Sequence, residues 1–329
     1  MTATDPPKAL IERLRSGSRY VLTSHINPDG DAVGSALGLA RILHSVGKGA
    51  VAWLHDPVPA IYEPIPGSER MHSGIEAPAG FPESFDAAVL LECPRFDRCG
   101  LEERLKGLPV INIDHHLGNE QYGEVNWVDS AAPSLGEMIY RLGKAMLADL
   151  DQTTATILYM TLATDTGGFR FANSTARAFD AAARLVEEGA QPELVSQWIY
   201  DNQPEARIRL LAEMVSTLQV HANGSVASVV LTPEMFERAG ANASHAEDLI
   251  DVPRSIAGVQ ALALLKEKGD GTIRVSLRSR GDIDVESIAR RHNGGGHHNA
   301  AGFTEEDSLD HLRQEMVAAL SNLVDTTES

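Results

Sequence analysis

Residues 19–47, RYVLTSHINPDGDAVGSALGLARILHSVG, carry a short apolar strand into His25, a turn built on Pro28 and Gly30, and then a helix. Val33, Leu37, Leu39, Ala40, Leu43 and Val46 recur with a mainly helical period, and Gly47 stands where that helix would stop. The alternation continues outward. AVAWLH (50–55), FDAAVLLE (85–92) and LPVINID (108–114) read as further strands. Strands interleaved with helices predict a largely parallel sheet covered on both faces. Such sheets place ligand sites beyond the carboxyl ends of their strands, and His25, Glu92 and Asp114 each lie at or just past such an end.

From about Leu135 to Val220 the pattern is helical: SLGEMIYRLGKAM (134–146), QTTATILYMTLATDTG (152–167) and TARAFDAAARLVEEG (175–189). Residues 191–220 read as a helical linker with Pro192 and Pro204 as helix starters. Strands return at SVASVVLT (225–232), GVQALALLKEK (258–268) and TIRVSLRSR (272–280). The expected organisation is an α/β domain over residues 1–190, a linker over 191–221 and a smaller mixed α/β domain over 222–329.

Composition narrows the function classes. The chain of 329 residues is 43% hydrophobic and 22% charged, ordinary for a globular protein and long enough for two cores. No apolar stretch approaches the ~20 residues of a membrane span, and the first residues, MTATDPPKALIERL, lack the basic and apolar regions of a secretory signal. A cytoplasmic protein without a membrane partner is expected, with Cys93 and Cys99 as reduced thiols. The net charge of −18 argues against coating long nucleic acid, which needs many cations on phosphates. It fits a small anionic substrate held by metal ions and a few placed cations.

Acids and histidines converge on the strand ends. In SHINPDGDAVGSA (24–36), His25, Asp29 and Asp31 share a strand-to-helix turn. Two close carboxylates repel unless a positive charge lies between them, and a divalent ion would supply it. A capping loop with an incidental histidine is the plainer reading. In INIDHHLGNEQYG (111–123), Asp114, His115 and His116 follow a strand directly; one imidazole can ligate while its neighbour transfers a proton. Asp165 closes an apolar helix, where the helix dipole disfavours an acid unless a cation is near. Late in the chain, RRHNGGGHHNAAGF (290–303) reads as a loop whose Gly294, Gly295 and Gly296 let backbone N–H groups approach phosphate, with HHNAAG (297–302) opening a helix. Arg278 and Arg280 add cations to that region, or else line a solvated strand face.

HINPDGDAVGSA, IDHH, the aspartate of TDTGGFRF and GGGHHNAAG, in that order, resemble the DHH/DHHA1 phosphoesterases. Within them the chain is similar to the nano-RNase A type of stand-alone oligoribonuclease and pAp phosphatase, and NEQYGEVNWVDSAAPSLGEMIY (119–140) resembles the family's stretch after its DHH triplet. The similarity spans nearly the whole chain. It implies an N-terminal DHH domain, a helical linker, a C-terminal DHHA1 domain and two ions, usually Mn²⁺, with Mg²⁺ or Co²⁺ as substitutes. By position, His25, Asp29 and a bridging carboxylate would hold one ion; Asp31, the same bridge, His115 and Asp165 would hold the other. His116 would act beside the scissile phosphate with Asp114, while Arg278, Gly295, Gly296 and His297 would bind substrate. The bridge is usually an Asp; Glu92 stands there in this chain, longer by one C–C bond, about 1.5 Å. The implied activity is metal-dependent hydrolysis of short oligoribonucleotides to 5′-mononucleotides and of pAp to AMP, by a homodimer. A phosphodiesterase for pApA or cyclic dinucleotides, or a non-catalytic nucleotide sensor, is the alternative.

Overall fold

The computed structural model describes residues 5–246 and 249–327. The chain divides between Asn202 and Gln203. The first unit runs α1 (Lys8–Ser16), β1 (Arg19–Thr23), α2 (Gly30–Ser45), β2 (Gly49–Leu54), β3 (His72–Ser73), β4 (Ala87–Leu91) and α3 (Glu102–Leu105). It continues through β5 (Val110–Asp114), β6 (Val125–Val128), α4 (Leu135–Met146), α5 (Gln152–Asp165), α6 (Ala176–Glu187) and α7 (Pro192–Ile199). Its six strands pair in the order β3-β2-β1-β4-β5-β6, all parallel.

Alternation along the central strands buries both faces of this sheet. Tyr20 and Leu22 of β1, with Ala87, Val89 and Leu91 of β4, join the core under α1, α2, α4 and α5. Val21, Ala88 and Leu90 point the other way, onto Trp53, Phe85, Leu101, Leu105 and the two cysteines. Cys93 and Cys99 are free and buried, and burial pushes the Cys99 thiol up to about 11, so neither is a reactive thiolate.

Three helices meet on small residues. A Cβ on Gly34 of α2 would lie 2.6 Å from Thr161 of α5, one on Gly30 would lie 2.5 Å from Thr164, and one on Gly38 would lie 2.5 Å from Leu158. Gly136 of α4 meets Thr161 as well. Spacing of four residues puts Gly30, Gly34 and Gly38 on one face of α2, and α5 packs directly on it. Helix α5 is buried on nearly all sides, and its threonines close their hydroxyls onto the helix: Thr156 donates to Gln152 O at 2.7 Å and Thr161 to Leu158 O at 2.7 Å. This packing brings the start of α2 and the end of α5 together.

The second unit runs α8 (Glu205–Ser216), β7 (Gln219–His221), β8 (Val226–Leu231), α9 (Pro233–Ala239), α10 (Asp251–Arg254), β9 (Ala261–Glu267) and β10 (Ile273–Ser279). It ends with α11 (Glu286–Arg291), β11 (Gly295–His297), β12 (Ala300–Glu305) and α12 (Leu309–Thr327). Its strands pair in the order β11-β12-β10-β9-β8-β7, with β8 and β9 parallel and the other pairs antiparallel. Leu312, Met316, Leu320 and Val324, each four residues apart on α12, cover one face of this sheet. Leu210 and Met214 of α8 cover the other. The segment read as a linker is two helices: α7 belongs to the first unit and α8 to the second.

One sequence expectation is corrected here. HHNAAG does not open a helix; β11 and β12 form a tight hairpin with His297 opposite Ala300, so His298 and Asn299 make the turn. Gly294, Gly296 and Gly302 permit close backbone approach within this hairpin and its neighbour. A Cβ on Gly294 would collide with the carbonyl of Gly302, one on Gly296 with that of Ala300, and one on Gly302 would lie 2.5 Å from Val275 O.

Candidate metal centre

The carboxyl edge of the parallel sheet carries the site. Strand β1 delivers His25 and the turn to α2; β4 delivers Glu92, β5 delivers Asp114 to His116, and the end of α5 delivers Asp165. The turn after β1 is fixed at both sides: Ile26 N–H donates to Arg98 O at 2.9 Å and Asn27 N–H to Asp56 at 2.7 Å. Asp29 caps α2 by accepting from Ala32 N–H at 2.9 Å. Asp31, two residues further, is 1% exposed. Its carboxylate accepts from Leu135 N–H at 2.6 Å, Gly136 N–H at 3.1 Å and Ser35 Oγ at 2.9 Å. The two aspartates therefore divide the work: one caps its own helix, while the other sits on the positive N-terminus of α4.

Glu92 has φ of +56°, a left-handed conformation that costs a side-chain-bearing residue about 1 kcal/mol. Its N–H still donates to Ile113 O at 3.2 Å, so the kink comes at the strand's last ladder position. The carboxylate is 2% exposed and lies between two imidazoles: Oε1 is 3.0 Å from His115 Nε2, and Oε2 is 3.9 Å from His25 Nε2.

Both imidazoles are oriented by backbone carbonyls. His25 Nδ1 lies 2.9 Å from Ile26 O and His115 Nδ1 lies 3.3 Å from Ala132 O. A carbonyl only accepts, so each Nδ1 carries a proton and Nε2 faces inward, where a ring without a second proton presents its lone pair. The His115 lone pair then faces the Glu92 carboxylate, acceptor against acceptor. Only a proton or a cation resolves that contact.

Donor atoms of His25, Asp29 and Glu92 lie within 4.8 Å of one another, as do those of Asp31, His115 and Asp165, and those of Glu92, His115 and His116. The structure thus brings together every residue expected to ligate, with Glu92 between the two groups. Burial raises the Glu92 pKa well above its ordinary value, and the Asp31, Asp29 and Asp165 charges raise it further. Burial also raises Asp31, and burial with the Asp31 charge lifts Asp165 to about 7. For His115 burial pulls downward, but the Asp31 and Asp165 carboxylates outweigh it and the net shift is up. Glu92 Oε2 is buried and has no hydrogen-bond partner among the described residues. An orphaned carboxylate oxygen, inward imidazole lone pairs and mutually repelling acids fit divalent cations with mixed N and O donors.

Asp114 is different. Its Oδ1 accepts from the N–H groups of His115 at 2.8 Å and His116 at 3.1 Å and meets His116 Nδ1 at 2.8 Å; its Oδ2 accepts from Asn119 at 2.5 Å. Burial pushes its pKa up, the His116 and Asn119 contacts pull it down, and the net is a lowered value. Asp114 therefore orients His116, whose ring is 43% exposed.

In the second unit, register places Arg278, Ala300 and His297 in one row across β10, β12 and β11. Gly295 and Gly296 precede His297 on the same edge strand, while the His297 side chain lies outside the described part of the chain. Arg278 Nη1 donates to the neighbouring Leu277 O at 3.1 Å. Arg280 donates to Arg254 O at 2.6 Å.

Sequence reading missed the supports: Asn119 on Asp114, and Asn173, whose Nδ2 reaches Asp165 Oδ2 at 3.2 Å and Pro133 O at 3.0 Å. It also missed the buried Asp129 and Glu137 and the Arg177 that pairs with both. The one available signal was that Asp129 and Glu137 are acids inside a stretch otherwise reading as buried.

Comparison with known proteins agrees with this layout. Residues 19–162 match the profile of the DHH family, N-terminal domain, and residues 223–324 match the DHHA1 domain. A "Bifunctional oligoribonuclease and PAP phosphatase NrnA" of Thermus thermophilus is 32% identical, over 88% of this chain and 84% of that protein. The protein of the same name in Bacillus subtilis is 29% identical, over 88% of this chain and 91% of its own length. An exopolyphosphatase-related protein of Bacteroides fragilis has the same fold, with a TM-score of 0.88 at 24% identity over 98% of this chain and 97% of that one.

Proposed function

Because the chain belongs to the DHH/DHHA1 phosphoesterase family, nano-RNase A type, we propose that it hydrolyses short oligoribonucleotides to 5′-mononucleotides and pAp to AMP. The observation that carries this reading is Glu92, held between two donor groups with one carboxylate oxygen unsatisfied. We assign His25, Asp29 and Glu92 to one divalent ion and Glu92, Asp31, His115 and Asp165 to a second, with Mn²⁺ as the ion that suits imidazole and carboxylate together. Two such ions supply Lewis acidity, a water of lowered pKa and charge neutralisation at phosphate.

The chain's own groups do the rest. Asp31 is pinned by the α4 N-terminus, so its carboxylate keeps its place when charged. The left-handed backbone at Glu92 turns the longer acid back toward both imidazoles. His116 keeps Nδ1 on Asp114, which leaves Nε2 as the atom that exchanges a proton with the leaving oxygen. Arg278, the Gly295 and Gly296 backbone and His297 are assigned to substrate phosphate. A homodimer belongs to the same proposal and is checked by sedimentation velocity.

The test is direct. The protein, stripped with EDTA and reloaded with Mn²⁺, Mg²⁺ or Co²⁺, is incubated separately with pAp, pApA, a cyclic dinucleotide, a five-nucleotide RNA and pyrophosphate, and products are identified by mass spectrometry. Mononucleotides from the RNA and AMP from pAp, greatest with Mn²⁺, are expected. Turnover of only the dinucleotides selects the phosphodiesterase alternative. Tight nucleotide binding with no turnover overturns the enzyme reading.

A further inference from the structure

Outside the donor groups lies an ion-pair cluster built on two buried acids. Arg177, in the first turn of α6, forks onto Glu137 with Nε at 3.0 Å from Oε1 and Nη2 at 2.6 Å from Oε2. The same Nη2 reaches Asp129 Oδ2 at 2.9 Å. Asp129 and Glu137 are each 4% exposed. Asp129 directly follows β6, and Glu137 is in the first turn of α4, so one guanidinium joins both ends of residues 129–137.

That short segment is where the donors get their orientation. Asp129 N–H donates to Asp114 O at 3.0 Å, and Ala132 N–H closes the turn onto Asp129 O at 2.9 Å. Ala132 O fixes His115 Nδ1, and Pro133 O binds Asn173, which also holds Asp165. Ser134 caps α4, and the N–H groups of Leu135 and Gly136 bind Asp31. His115, Asp165 and Asp31, one whole donor group, take their positions from a stretch fastened by Arg177.

We propose that Arg177 is a positioning residue for the second ion: by holding Asp129 and Glu137 at once it keeps the 129–134 turn and the start of α4 in the shape that presents Ala132 O to His115 and two N–H groups to Asp31. The naming of an ion rests on the two-ion reading above; the orientation of His115 does not. A lysine at 177 keeps the charge but offers no planar fork to span two carboxylates. Arg141 cannot replace it, since it stands 3.5 Å from Asp129 and 3.9 Å from Glu137 and already binds Asp5 at 2.8 Å.

Two variants test this. Arg177→Lys retains charge balance. The double variant Arg177→Met with Glu137→Met removes the buried pair together, which leaves Asp129 facing Arg141 and avoids stranding a buried charge. Each is compared with the parent by urea unfolding, by Mn²⁺ titration in a calorimeter with free Mn²⁺ read by electron paramagnetic resonance, and by ¹⁵N shifts of the His115 ring without metal. The parent should show the Nδ1–H tautomer of His115 and bind two Mn²⁺. A folded variant should show mixed tautomers and bind one ion 10–100-fold more weakly, the range found when groups supporting a ligand are lost, with the other ion unchanged. A folded variant with a parental His115 spectrum and parental Mn²⁺ affinity overturns the proposal. If the parent itself binds no Mn²⁺, the two-ion reading fails, and the His115 spectra alone decide whether the clamp orients the ring.

Discussion

Glu92 and Asp114 are strand-end acids on neighbouring strands of one sheet, both buried to within 2% exposure, yet they sit in opposite electrostatic states. Asp114 is filled: four contacts to N–H and side-chain donors hold its pKa below the ordinary carboxylate value. Glu92 is unfilled: burial and three other acids raise its pKa, and Oε2 has no hydrogen-bond partner among the described residues. Burial alone does not separate a ligand from a scaffold. Between these two acids the distinction lies in whether the protein itself completes the carboxylate's hydrogen bonding; for Glu92 it does not, and a cation is the missing partner.

Breaking the donor groups should have the largest effect. Asp31→Ala and Glu92→Gln each remove a charge from the donor groups and should lower kcat/KM by more than 10³-fold, with Mn²⁺ binding lost in calorimetry. Glu92→Gln should at the same time make the metal-free protein more stable in urea, because it removes a repelled acid. If it is less stable, the picture of an uncompensated charge is wrong. On the filled side, Asp114→Asn should cut kcat by about 10²-fold while leaving Mn²⁺ affinity nearly unchanged, since the change acts through His116. It should also cost about 2 kcal/mol of stability, because a buried acceptor of several donors becomes a partial donor. Glu92→Asp sharpens the comparison: with Oε1 only 3.0 Å from His115, shortening the side chain should lower activity about tenfold. A rise in activity would mean that the longer acid is a compromise.

The smallest effect is the pH dependence of the metal-free protein. Glu92, Asp31 and Asp165 hold protons that the unfolded chain releases near pH ~4. The unfolded state then binds fewer protons, so stability falls as pH rises from about 4 through the value of about 7 given for Asp165. His115, raised, contributes stability that is full below its unfolded value of ~6.5 and is lost as pH rises through its folded value. Asp114, lowered, works the other way: its contribution is present above pH ~4 and disappears only as pH falls through its folded value. Melting temperature in EDTA should therefore decline between pH 5 and 8, and Mn²⁺ should flatten the slope. An EDTA curve that rises over that range contradicts the buried-acid assignment.

Much of the donor set was legible because it obeys a topological rule. His25, Glu92 and Asp114 stand after apolar runs, and parallel sheets put ligands there. Helices α2, α4, α5 and α6 announced themselves through period and end residues. Arg177, Asp129 and Glu137 were not legible, because ion pairs between residues 40 and 48 apart are defined only once the start of α6 lies beside α4 and the end of β6. The hairpin at Gly295–Glu305 was misread as the start of a helix, because pairing of β11 with β12 is a contact between strands that no local period announces. The left-handed backbone at Glu92 leaves no trace in composition.

The glycine row on α2 has a genetic consequence. Gly34 sits one helical turn behind Asp31 and meets Thr161 one turn before Asp165, so the spacing of those acids is set by a contact that no substrate ever sees. Every single-nucleotide change at a glycine codon that alters the amino acid adds at least one atom there. Inactivating alleles should therefore arise at Gly30 and Gly34 as readily as at the acids, with the acids still in place.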